Sequence, residues 1–275
     1  MVNMGNVWDR TTEFLSDNLA AILPIAVLAI LVPQAMSSAM GPARDTIGAG
    51  LSQGIILVLL LPILWGQLVI TALAVNANAG RAAAQSIATR RFGHMLLAML
   101  LAFGGLALLS VPIFVALAVG GADFAAMATG AAVMPTLSRG LAGFVIVYAV
   151  ALLVVAVAVS VRLSTLLPAV VAAEGGVVGA LRRSFALTRG IFWKTFGVLL
   201  LFGLVLWVAC MAATFVFGAV FRMLAPDAGP FGVGAIVVAI LIGLLTTAYS
   251  VLVAAFSAKL YLAAVAAREG SAKPT

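Results

Sequence analysis

The amino-acid sequence predicts an all-α, polytopic membrane protein: six transmembrane helices joined in part by short interfacial amphipathic helices. Three observations carry that fold class. Of 275 residues, 65% are apolar and only 8% are charged, against about 45–50% and about 25% in a soluble domain. A chain with so few polar side chains has nothing with which to cover a water-facing surface. Six stretches also reach the roughly 20 consecutive apolar residues that a bilayer crossing needs. The charges, finally, fall between those stretches and sort to one side of them. The same figures exclude a disordered chain, which is polar and charge-rich, and a disulfide scaffold, since Cys210 is the single cysteine.

Residues 7–17 come first. Trp8, Thr11, Phe14 and Leu15 recur at helical spacing, with Asp9, Arg10, Glu13 and Asp17 between them, so this segment reads as an acidic interfacial helix. Its negative side-chain sum is the reverse of a signal-peptide n-region, and none is expected. Spans follow at about 19–40, 51–75, 95–120, 141–161, 195–221 and 232–258. The alternation of Val with Ala or Ser over 155–160 is strand-like. Helix is still expected there, because a lipid-facing segment must satisfy its own backbone groups and the runs are apolar on every face. Pro24, Pro33, Pro62 and Pro112 are expected to kink the first three spans. The whole of 1–275 reads as one integral membrane domain.

Placing both termini on one side, with the connections after the second and fourth spans, gathers most cations there. That side holds Arg10, Arg81, Arg90, Arg91, Arg162, Arg182, Arg183, Arg189, Lys194, Lys259, Arg268 and Lys273. The other holds Arg44, Arg139 and Arg222, each with an Asp in its own loop (Asp45, Asp123, Asp227). By the positive-inside rule both termini are expected in the cytoplasm, and the whole +7 surplus faces it.

Two connections on that side read as further interfacial helices. In 175–190, Val177 or Val178, Leu181, Phe185 and Thr188 form an apolar stripe, with Arg182, Arg183 and Arg189 off it. Gly190 suits the position just past a helix end, and Trp193-Lys194 anchors the fifth span at the interface. Residues 80–91 are a weaker candidate with a mostly Ala face. Interfacial helix plus hairpin would then occur three times. Thr89-Arg90 recurs as Thr188-Arg189 and Phe103-Gly104 as Phe202-Gly203. Ser160-Val161-Arg162-Leu163 recurs as Ser257-Ala258-Lys259-Leu260.

Catalysis needs converging polar groups, yet the six spans contain no Asp or Glu, and His94 is the only histidine. No catalytic residue, cofactor or metal site is expected, and the protein reads as non-enzymatic. Cys210 is expected as a small buried hydrophobe. Arg162 and Lys259 each interrupt an apolar run. A cation at mid-membrane costs about 2.5–3.5 kcal/mol on insertion scales, so both belong at the interface, with their helices continuing beyond it. Either they snorkel, or they join Arg182, Arg183, Arg189 and Lys194 in a site for anionic lipid headgroups. Gln34, Gln67 and Thr71 are the polar groups inside the membrane. They read as interhelical hydrogen-bond partners, the alternative being the path of a transporter or channel for a small or lipid-like solute. Gly243, Thr247, Ala255 and Ala258 give the sixth span a small-residue packing face. The expected partners are membrane lipids, with a protein partner or a second copy also admitted. Nucleic acid is not expected, because the basic segments abut spans, where the lipid surface is nearer.

The stretch Pro168, Glu174-Gly175, Ala180-Leu181, Ser184, Leu187-Thr188, Gly190 and Phe192-Trp193 resembles the membrane-domain family of glycerophosphoryl diester phosphodiesterase and related six-span bacterial proteins. The resemblance implies a bacterial inner-membrane protein with an amphipathic cytoplasmic helix before its fifth span. It does not imply the hydrolase activity. In that family the activity belongs to a separate soluble barrel with metal-binding histidines and acids, for which this chain has neither the residues nor the length.

Overall fold

A computed structural model describes residues 2–40, 47–76, 80–124, 126, 137–172, 176–224 and 232–271. Arg44, Asp45, Glu174, Gly175, Asp227 and Lys273 lie outside the described residues. The fold is all-helical, without strands among those residues, and six helices are long and apolar enough to cross a membrane.

Helix α1 (Met4–Asp17) starts where Asn3 Oδ1 accepts from the Gly5 amide at 2.9 Å. It buries Val7, Thr11 and Phe14, one per turn. Thr11 can be buried because its hydroxyl donates to the Val7 carbonyl at 2.7 Å. Asn18 ends the helix, its amide and side chain both donating to the Phe14 carbonyl.

The first span, α2 (Leu19–Met40), changes winding midway: Ala26–Leu31 is a π-helical turn, with Val32 N–H donating to Val27 O. Pro33 follows at once. Its ring has no donor and would press on the carbonyl four residues earlier; the widened turn absorbs that conflict. The other spans are α3 (Ala49–Val75), α4 (Gly80–Val119), α5 (Arg139–Leu163), α8 (Phe192–Leu224) and α9 (Val233–Ser271). Helices α3 and α4 carry Pro62 and Pro112 inside continuous helix. Short α6 (Leu166–Ala172) and α7 (Gly176–Leu187) join α5 to α8.

Two expectations are corrected. Residues 80–91 do not form a separate helix; they are the first turns of α4, whose 40 residues span about 60 Å, twice the hydrocarbon thickness of about 30 Å. The segment is rich in Ala, and lone Gly93 is too weak a breaker to divide it. The buried face of α7 follows the expected stripe only in part: Val177 and Leu181 pack against the core, but smaller residues make up its centre. Ala180, Ser184 and Leu187 are buried, with Thr188 just beyond, whereas Val178 and Phe185 are exposed. Small side chains let α7 lie close against its neighbours, so its inner face looks polar in sequence.

The core is concentrated at the end of the bundle that carries α1, α6, α7 and the end of α9. There α3, α6 and α9 pack on one another. Two glycines set the close approaches along the first span. A Cβ on Gly66 would fall 2.9 Å from Ile30 Cγ1 and 3.0 Å from Ala29 Cβ. One on Gly243 would meet Ala35 Cα and N at 3.1 Å. Away from the core, α4, α5 and α8 present mostly exposed Leu, Val and Phe, which is what helices packed against lipid tails should show.

Candidate functional site

The conspicuous cations gather at that packed, basic end. Arg162 is the penultimate residue of α5, where the chain turns before α6. Helix-end carbonyls lack intrahelical amides, and Ser184 of α7 supplies a donor: its hydroxyl gives a 2.6 Å bond to the Arg162 carbonyl and lies 3.0 Å from Thr165 Oγ1. The Arg162 side chain crosses the other way. Its guanidinium reaches Phe185 O at 3.5 Å and lies 5.7 Å from the Phe185 ring centroid. Arg268 of α9 donates to the adjacent Ala186 carbonyl. Two guanidiniums thus sit on the last turn of α7, where the helix dipole favours positive charge. Gly190, at φ 96°, adopts the left-handed conformation expected past a helix end and turns the chain into α8.

Lys259 occupies a comparable place on α9. Its ammonium donates to the Ala74 carbonyl in the last turn of α3 at 3.0 Å and stands 4.7 Å from the Phe14 ring centroid of α1. Trp65 stands as far before Arg162 in the sequence as Arg162 stands before Lys259. Its indole N–H donates to Thr89 Oγ1 of α4 at 3.2 Å. Each even-numbered span therefore reaches the segment that opens the next hairpin, and the last returns to the first: Trp65 to α4, Arg162 to α7, Lys259 to α1.

These roles divide the six cations expected at one lipid site. Arg162 and Lys259 are half-buried and engaged with carbonyls and rings. Arg183 lies 5.4 Å from the Tyr261 ring centroid. Arg182, Arg189 and Lys194 project from the protein surface. Arg182 shares a face of α7 with Val178 and Phe185, at i, i+4 and i+7, Arg189 lies in the turn just past the helix end, and all four are exposed. Periodicity alone had put Phe185 on the opposite, buried stripe. Trp193, 78% exposed, continues this mixed apolar and cationic surface.

The hydrogen bonds described for the intramembrane polar groups stay within single helices. Thr71 donates to the carbonyl of Gln67 on its own helix at 2.8 Å, while Ser38 donates to that of Gln34 on another. Among the described residues no three His, Cys, Asp or Glu side chains form a metal-sized group. Tyr261 Oη and Thr195 Oγ1 are buried there without a hydrogen-bond partner. Sequence reasoning named Phe14 only as part of an apolar face and Ser184 only within the family-like stretch, and did not name Tyr261; their contacts depend on which helix lies alongside.

A family model described as a domain of unknown function, DUF7847, matches residues 9–264. The chain belongs to the DUF7847 family. The matched region takes in α1 from Asp9, all six spans and α7, so the cation-to-carbonyl contacts made by Arg162 and Lys259 lie within the DUF7847 unit. No curated protein and no solved structure matches the chain.

Proposed function

We propose that this DUF7847 protein is a non-enzymatic integral protein of the bacterial inner membrane whose basic end engages anionic lipid headgroups from the cytoplasmic side. The observation that carries the reading is the exposed face of α7, where Arg182 stands between Val178 and Phe185, with Arg189 exposed in the turn just beyond it. An interfacial helix needs apolar groups that enter the headgroup boundary and cations that meet its charge. Trp193 and Lys194, exposed in the first turn of α8, extend the surface with an aromatic anchor. The cytoplasmic orientation rests on the asymmetry of Lys and Arg between the two ends. The inner-membrane placement rests on the likeness of the 168–193 stretch to the phosphodiesterase-associated membrane domain.

The test is lipid co-purification. Arg182→Gln with Arg189→Gln should strip most retained anionic lipid, as seen by native mass spectrometry, while thermal unfolding in detergent stays near wild type. Unchanged lipid retention would defeat the reading. Orientation has its own check: a reporter fused after Gly121 should signal the periplasm, and one after Gly190 the cytoplasm. The reverse pattern would overturn it.

A further inference from the structure

A cleft of about 750 Å³ separates residues 2–5 from one face of α8, formed by Trp193, Lys194, Gly197, Val198 and Leu201. The volume falls within the roughly 300–1,000 Å³ of small-molecule sites. Its two walls are joined by tilted and edge-on ring contacts. Trp8 of α1 lies 5.8 Å from Phe202 of α8, and Phe202 lies 5.4 Å from Phe256 of α9.

Polarity is graded along the α8 wall. Lys194 stands at the start of the helix, one turn before Gly197. Leu201 follows seven residues after Lys194, about 10 Å deeper into the span. Val2, Met4 and Val198 add apolar side chains to the lining. Among the described residues the lining contains no carboxylate, and the first turn of α1 has no acidic residue. An ammonium at the rim above an apolar trough matches a molecule with an anionic head and a hydrocarbon tail; a free inorganic anion would leave the trough unused. Gly197 keeps the trough open, since a Cβ there would meet no atom within 4 Å.

We infer that this cleft holds one anionic glycerophospholipid, its phosphate at Lys194 and an acyl chain along Gly197, Val198 and Leu201. The inference deepens the lipid-headgroup reading above by adding a discrete site to a diffuse basic surface, and it rests on that reading only for the membrane-facing placement of this end.

The experiment uses the full-length protein in nanodiscs of phosphatidylglycerol and phosphatidylcholine with identical chains, and native mass spectrometry counts retained lipid. Gly197→Phe adds a ring beside the trough at a position where a Cβ meets no atom within 4 Å, and Lys194→Gln removes the rim charge. Each should lower the population with one tightly retained phosphatidylglycerol about tenfold, equivalent to about 1.4 kcal/mol. The Arg182→Gln, Arg189→Gln variant should lose weakly held lipid and keep this one. Retention unchanged in both Gly197→Phe and Lys194→Gln would overturn the inference, even where the double Arg variant upholds the α7 reading. Equal retention of the two lipids by the wild type would overturn the anionic-headgroup assignment. A double Arg variant that keeps all its lipid while Gly197→Phe loses one would uphold the cleft and defeat the α7 reading.

Discussion

Lys259 Nζ lies 3.0 Å from the carbonyl oxygen of Ala74, and this bond joins the sixth span to the end of the second. A charged donor here satisfies a helix-end acceptor that has no amide of its own. Hydrogen bonds to charged groups contribute about 1.5–3 kcal/mol, and the half-exposed setting of Lys259 puts the expected value near the lower end. Lys259→Met should therefore lower unfolding free energy by about 1–2 kcal/mol. Lys259→Arg, which keeps a cationic donor, should recover part of it. Chemical unfolding in mixed micelles, followed by circular dichroism, gives the comparison.

Ser184 should behave differently, because its loss loosens one connection and not the bundle. Its side chain is fully buried and serves both the Arg162 carbonyl and Thr165 Oγ1. Ser184→Ala leaves a buried carbonyl short of a donor, a penalty of about 1–3 kcal/mol. Amide hydrogen exchange should rise across 176–190 while α3 and α9 keep their protection. A uniform rise over all helices would show that Ser184 does not act locally.

Close packing against the first span gives a paired prediction. Gly243→Val drives a side chain into the Ala35 backbone, where even a Cβ meets atoms at 3.1 Å. Overpacking of this kind costs about 1–3 kcal/mol. Gly104→Val on α4 meets nothing within 4 Å and should leave stability near wild type. Thermal melting of the two variants in the same detergent separates them, and equal melting points would refute the contrast.

The six spans were legible because an apolar run of membrane length is a local property of the chain. The end of α1 at Asp17 and the left-handed Gly190 were legible for the same reason, as helix-end chemistry is local too, whereas the start of α1 at Met4 lies ahead of the expected residue 7. Residues 80–91 were misjudged because the sequence shows amphipathicity without showing whether a helix stops; nothing strong enough to break α4 stands between Gly80 and Pro112. The buried face of α7 was only partly anticipated, through Val177, Leu181 and Thr188, because Ala180 and Ser184 count for little on a hydrophobic scale. They become interior only where a neighbouring helix comes close and a carbonyl takes the hydroxyl. Arg162 and Lys259 stood out in the sequence as cations interrupting apolar runs. Their partners, Phe185, Ala74 and Phe14, depend on which helix ends converge. The repeated Ser-x-cation-Leu letters hinted at that equivalence, while Trp65 at the matching place in the first unit shares the donor role and none of the letters.

Phe14 tests whether α1 is a fixed part of the bundle. Its ring is 4% exposed and lies beneath the Lys259 ammonium, so it contributes both buried area and a cation–π contact. Removing a buried Phe costs about 3–5 kcal/mol, more than a 14-residue helix lying on the surface of the core can lose and stay docked. Phe14→Ala should release α1 while leaving the six spans folded. Trypsin reads the outcome directly, because Arg10 on α1 is exposed in sequence terms but held in helix, and cleavage needs several residues of extended backbone. Cutting after Arg10 should accelerate strongly in Phe14→Ala. Trp8→Ala should accelerate it less, since Trp8 is 40% exposed and its ring touches α8 at one edge of the helix. Phe14→Leu, which restores apolar volume without the ring's charge-attracting face, should fall between wild type and Phe14→Ala. If Leu restored full protection, burial alone would hold α1 and the cation–π contact would add nothing to its docking.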